Sequence, residues 1–147
     1  MGQIIAIKET VTPDNINSLL EGTPIPKDFE MISIDIDSYD HDVWGGLTKY
    51  NPKVVIIEVN SSLLPGVLHT YTGGPVEGNS FTSTVDLGRR KGYTPVCHTG
   101  NLIFVRDDLV DKVLIPDDMF VWNWVPVEQR GGSEKMIMLN PIHLTSS

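Results

Sequence analysis

A chain of 147 residues, 40% apolar and 20% charged, has the composition of an ordinary globular domain long enough to bury a core. Its net charge of −8 and pI near 4.8 argue against a phosphate-binding surface, so nucleic acid is not an expected partner. No apolar run approaches the ~20 residues of a bilayer span, and the apolar stretch from Ile4 to Ile7, closed by Lys8 and Glu9, is too short for a signal peptide; no membrane contact is expected and the expected compartment is the cytoplasm.

In chain order, residues 3–8 predict a short strand. Thr12 is a candidate N-cap with Pro13 at the first helical position, and the helix runs through Ile16, Leu19 and Leu20 to a stop at Gly22. Residues 29–35 form the second predicted strand. A short helix follows at residues 40–47, with Val43, Trp44 and Leu47 on one face, until Asn51-Pro52 breaks it. Residues 54–59 form the third strand. Residues 60–79 are rich in Gly, Pro, Ser and Thr, and an unstructured connection of this length reads as a binding loop or lid. Ser80 caps a helix to about Lys91, where Arg89, Arg90 and Lys91 complement its C-terminal dipole, and Gly92 ends it. Two strands, residues 94–99 and 102–106, joined at Thr99-Gly100-Asn101, predict an antiparallel hairpin at a sheet edge. A short helix is predicted at residues 108–113.

This order predicts an α/β fold with a three-layer, mostly parallel Rossmann-like sheet and a C-terminal antiparallel hairpin. The expected division is an α/β domain over residues 1–114 and an irregular tail over 115–147. That tail, with Phe120, Trp122 and Trp124, is expected to pack on the domain or on a partner. The single Cys97 excludes an internal disulfide and a multi-cysteine zinc site, and on a strand it reads as an inert, buried thiol.

The chemistry concentrates where the second predicted strand ends. Met31 to Trp44 reads M-I-S-I-D-I-D-S-Y-D-H-D-V-W, an apolar run closed by Asp35, Asp37, Asp40 and Asp42. Ligand sites of open α/β sheets lie beyond the carboxyl ends of the strands. Asp35 and Asp37, two apart, share a face there. Like charges so placed raise one another's pKa unless a cation lies between them, and such hard oxygens suit Mg²⁺, Mn²⁺ or Ca²⁺. The third strand ends in Glu58 and Asn60, again on one face. Three readings stay open for the acids: a divalent-metal site, a metal-free carboxylate site for substrate, and simple capping of the next helix by Asp37 and Asp40. The candidate catalytic residues are Asp35, Asp37 and His41, the last as a base titrating near neutral pH. His69 and Tyr71, in the long loop, and Asn60 are candidate substrate contacts.

Several segments together resemble a known family. They are V-T-P-D-N-I-N from Val11, S-I-D-I-D from Ser33 with Asp40 after it, V-V-I-I-E-V-N from Val54, and Gly92-Tyr93 followed by Phe104 to Leu109. The series is similar to the C-terminal part of FkbM-like class I methyltransferase-fold proteins, over residues 4–109. The resemblance implies a Rossmann-like sheet in which residues 3–8 match the family's third strand, so the first two strands are expected to be absent. Some class I methyltransferases hold a magnesium between an acid at the end of the fourth strand and an acid–amide pair at the end of the fifth. The resemblance places such a site at Asp37 (or Asp35), Glu58 and Asn60. The family's cofactor is S-adenosylmethionine, bound by a glycine-rich turn after the first strand. Gly45-Gly46 and Gly73-Gly74 do not follow strands, so S-adenosylmethionine is not expected to bind measurably below millimolar concentration.

Two functions are therefore expected in alternative. One is a methyltransferase-like protein acting on or binding a small hydroxyl- or sugar-bearing substrate through its strand-end acids. The other is a non-catalytic binding or assembly protein. In it a second copy or a partner chain covers an exposed sheet edge.

Overall fold

The computed structural model describes residues 4–113. Helix α1 (Ile16–Glu21) is set by its entry turn. The Thr12 hydroxyl accepts from the Asn15 amide at 3.2 Å, and Asn15 Oδ1 accepts in return from the Thr12 amide at 2.8 Å. This reciprocal pair satisfies donors that would otherwise be orphaned, as a capping box does. Strand β1 (Met31–Ile34), helix α2 (Asp40–Gly46) and strand β2 (Val54–Glu58) follow. Ser80 caps helix α3 (Phe81–Arg90), its hydroxyl accepting from the Ser83 amide. Strands β3 (Tyr93–His98) and β4 (Asn101–Arg106) form the hairpin, and a 3-10 helix (Asp107–Lys112) closes the described chain.

The four strands form one sheet in the order β1-β2-β4-β3. β1 and β2 are parallel, with Ile34 opposite Ile57. β2 with β4 and β4 with β3 are antiparallel. The sheet is therefore mixed, with one parallel pairing in three, where the sequence predicted a mostly parallel one. The reason is topological. The hairpin inserts its second strand, β4, next to β2 and sends β3 to the edge, so both of its pairings are antiparallel.

The predicted strand over residues 3–8 is also corrected. Residues 4–8 lie outside any regular element, and Ile4 is 94% exposed. A β-branched run is not enough to make a strand when no neighbour supplies the ladder.

Alternation sorts the sheet residues onto two faces. Ile34, Val55, Ile57, Leu102 and Phe104 point to one face and are buried with Trp44 and Leu47 of the α2 region and Val85 and Leu87 of α3. The main core thus sits on one side, and the described residues form two layers where three were predicted. Trp44 packs on Phe104 and Tyr93, with ring centroids 4.8 and 5.7 Å apart. Gly88 is what lets α3 approach the sheet, since a Cβ there would stand 2.4 Å from the Phe104 ring. Tyr93, buried with its hydroxyl donating to Pro52 O at 2.7 Å, has its pKa pushed up to about 12, chiefly by burial. Cys97 is half-buried on β3. The tail over residues 115–147, and with it the proposed domain division, lies outside the described residues. No helix among the described residues is long and apolar enough to cross a membrane.

Candidate functional site

The site is built where parallel strands β1 and β2 end side by side. After Ile34 the chain leaves the sheet through Asp35, Ile36, Asp37 and Ser38 before α2 begins. Asp40 shapes this turn. Its buried carboxylate accepts from the Ile36 amide at 3.0 Å through Oδ1 and from the Ser38 amide at 3.1 Å through Oδ2. Asp37 at φ 52 and Ser38 at φ 111 occupy left-handed backbone conformations. Strain of this kind costs on the order of 1–3 kcal/mol per residue and persists only where the surroundings hold it. Here Ser38 is held two more ways: its carbonyl accepts from Asn79 Nδ2 at 2.8 Å, and its hydroxyl accepts from the Gly78 amide.

The turn delivers two carboxylates to the end of β2, where Glu58 supplies a third. Asp35, Asp37 and Glu58 each offer an oxygen, and these oxygens lie within 4.8 Å of one another on an exposed surface. Hard oxygens gathered this closely are a donor set that suits a divalent cation. A cavity of about 450 Å³ opens beside them, with Asp37, Asp40, Glu58, Asn60, Glu77 and Asn101 in its lining and, among the described residues, no lysine or arginine. The charge is felt by Glu58. Partial desolvation raises its pKa first, and the carboxylates of Asp35, Asp40 and Asp37 raise it further.

The sequence-predicted residues divide by position. Asp35, Asp37 and Glu58 are brought together. Asn60 lines the cavity, but its side chain also clamps the long loop: Oδ1 accepts from the Ser62 amide at 2.9 Å, and Nδ2 donates to Glu77 O at 2.6 Å. His41 lies on α2 with Nδ1 3.2 Å from Asp42 Oδ1, and it is not in the cavity lining. His69 and Tyr71 are not in the lining either. The His69 ring meets Val76 O at 3.2 Å, and its amide donates to the Ser80 and Ser83 hydroxyls. Tyr71 packs edge-on against Tyr39.

Sequence reading missed Glu77, Asn79 and Asn101. Glu77 comes from a loop whose path has no periodicity to read. Asn101 reaches the site only because it pairs with Glu58 across the β2–β4 ladder, a register that local sequence does not specify. Asn79 is buried and works in two directions, donating to Ser38 O and accepting from the Tyr71 amide at 3.0 Å. The only hint of it was its place just before the Ser80 cap.

No family model, curated protein or solved structure matches the chain.

Proposed function

We propose that the acidic cavity at the ends of β1 and β2 binds a small hydroxyl-bearing ligand, of which sugars are the leading class, together with a divalent cation at Asp35, Asp37 and Glu58. The carrying observation is the convergence of three carboxylates at the ends of two adjacent parallel strands, beside a cavity whose lining, among the described residues, has no basic side chain. A cation relieves the repulsion that raises the Glu58 pKa. When bound, it supplies positive charge that polarises a ligand hydroxyl. Asn101 and the Asp37 and Glu77 side chains line the space in which such a ligand would be oriented. The resemblance to FkbM-like class I methyltransferases supports a transferase-type scaffold as the origin of this arrangement. The residues do not fit S-adenosylmethionine itself. Its carboxylate would face acids, and the cavity glycines Gly78 and Gly100 belong to a loop and a hairpin turn rather than to a strand-to-helix turn.

Thermal unfolding with and without Mg²⁺, Mn²⁺ and Ca²⁺ tests the reading. A cation that binds the folded chain alone stabilises it by about 1.4 kcal/mol at tenfold excess over Kd, a rise of several degrees for a domain of this size. The rise should disappear in Asp37→Ala. A wild-type melting temperature indifferent to all three ions at millimolar concentration overturns the proposal.

A further inference from the structure

β1 is an edge strand, with β2 as its neighbour on one side. Among the described residues, no backbone group of Met31–Ile34 bonds on the side away from β2. The edge has no lysine, proline or bulge to guard it, and Met31 is 56% exposed. Natural sheets protect such edges or pair them. Residues 4–8, Ile-Ile-Ala-Ile-Lys, show the complementary deficiency. They make no hydrogen bond among the described residues, and Ile5 and Ile7 are 46% and 47% exposed.

The two fit in one register. If residues 4–8 lie parallel to β1 with Ile5 beside Ile32, then Ile7 falls beside Ile34, Ala6 beside Ser33 and Lys8 beside Asp35. Ile32 and Ile34 are on the core face, so Ile5 and Ile7 extend that core over its open end. Lys8 brings a cation to the acidic group, beside a cavity with no basic side chain among the described residues. The antiparallel alternative puts Lys8 beside Met31, near Glu30, which already pairs with Lys53. Charge complementarity therefore selects the parallel arrangement. Among the described residues of its own chain the segment is unpaired and exposed.

We propose that residues 4–8 of one copy add as a parallel fifth strand to the free edge of β1 in a second copy of this chain. The exchange is reciprocal and needs no metal, so it stands apart from the reading of the cavity.

Analytical ultracentrifugation of the full chain from micromolar to millimolar concentration, in chelator, provides the test. The wild type should show a concentration-dependent dimer. Ile5→Pro removes a ladder donor from a segment that makes no hydrogen bond with the described residues of its own chain, so it should give a folded monomer. Lys8→Glu should weaken the dimer about fivefold at low salt, and adding Asp35→Lys should restore it. In a Cys97→Ser background, a mixture of Ala6→Cys chains and Ser33→Cys chains should oxidise to a covalent dimer. Three results each overturn the proposal: a wild type that stays monomeric, a dimer indifferent to Ile5→Pro, or an Ala6→Cys/Ser33→Cys double variant that cross-links within one chain.

Discussion

Glu58 gives the cavity its most direct readout. Its folded-state pKa is raised, so the folded chain holds that proton more tightly than the unfolded chain does. As pH climbs from the ordinary carboxyl value through the raised one, the unfolded chain releases its proton first and stability falls. Glu58→Gln should therefore raise the melting temperature at neutral pH in chelator, with the gain fading at acid pH below the carboxyl range. A glutamine variant less stable than wild type at neutral pH would contradict this. Asp40 does opposite work from the same patch. Its carboxylate satisfies two backbone amides while fully buried. Asp40→Ala strands both donors and releases a strained turn, and should cost roughly 2–4 kcal/mol by chemical denaturation. A loss below about 1 kcal/mol would show that the turn is held mainly by Asn79.

The turn leading into α1 meets the end of α2 backbone to backbone. A Cβ at Gly46 would stand 2.3 Å from the Pro13 carbonyl oxygen, which cannot swing away as a side chain would. Asn17 locks the same contact, donating to Gly46 O at 2.7 Å and accepting from the Thr48 and Lys49 amides. Gly46→Ala should destabilise the fold by about 1–3 kcal/mol through forced separation of that turn from α2, with Gly45→Ala, where the space is open, as the neutral control. Equal unfolding midpoints for the two variants would refute that packing argument. The long loop between β2 and α3 is organised in the same way, by a few anchors rather than by regular structure. Asn60 holds its start and Asn79 its end, and the Asn60 amide donates to Asn79 O at 2.9 Å. Asn79→Ala should accelerate proteolytic nicking between Ser61 and Gly78 several-fold while β2 keeps its hydrogen-exchange protection. Unchanged nicking would mean that the His69 amide contacts to Ser80 and Ser83 suffice.

For the molecule as a whole, Asp35 follows directly on β1 and stands in the carboxylate group with Asp37 and Glu58, two residues of the cavity lining, so the edge of β1 and the acidic site are neighbours. Occupation of one is expected to be felt at the other. With Lys8 of a second copy beside Asp35, a divalent cation has one carboxylate fewer to itself. Raising Mn²⁺ should therefore shift the monomer–dimer balance measured by sedimentation, whereas millimolar S-adenosylmethionine should shift neither that balance nor the melting temperature. A melting temperature raised by S-adenosylmethionine would show that the cavity accepts it despite its acidic lining.

The sequence by itself determined the local elements. Val43, Trp44 and Leu47 marked the buried face of the α2 region, Ser80 capped α3, and the turn at Gly100 set the hairpin, whereas α1 begins at Ile16 after Asn15, three residues beyond the start expected at Thr12 and Pro13. It also identified the acids at the strand ends, because an apolar run that stops at Asp35 and Asp37 is a local pattern. Tertiary structure alone decided the rest. Residues 4–8 have strand-forming side chains but lack a ladder, which only a neighbour in space can supply. Whether the sheet was parallel depended on which hairpin strand stood next to β2, a choice made by packing rather than by period. Asp40, one carboxylate among four in a row, became a buried backbone anchor, while Asp35 and Asp37 remained exposed beside Glu58. A residue's charge can be read in one dimension, but its partners exist only once distant strands have found their register.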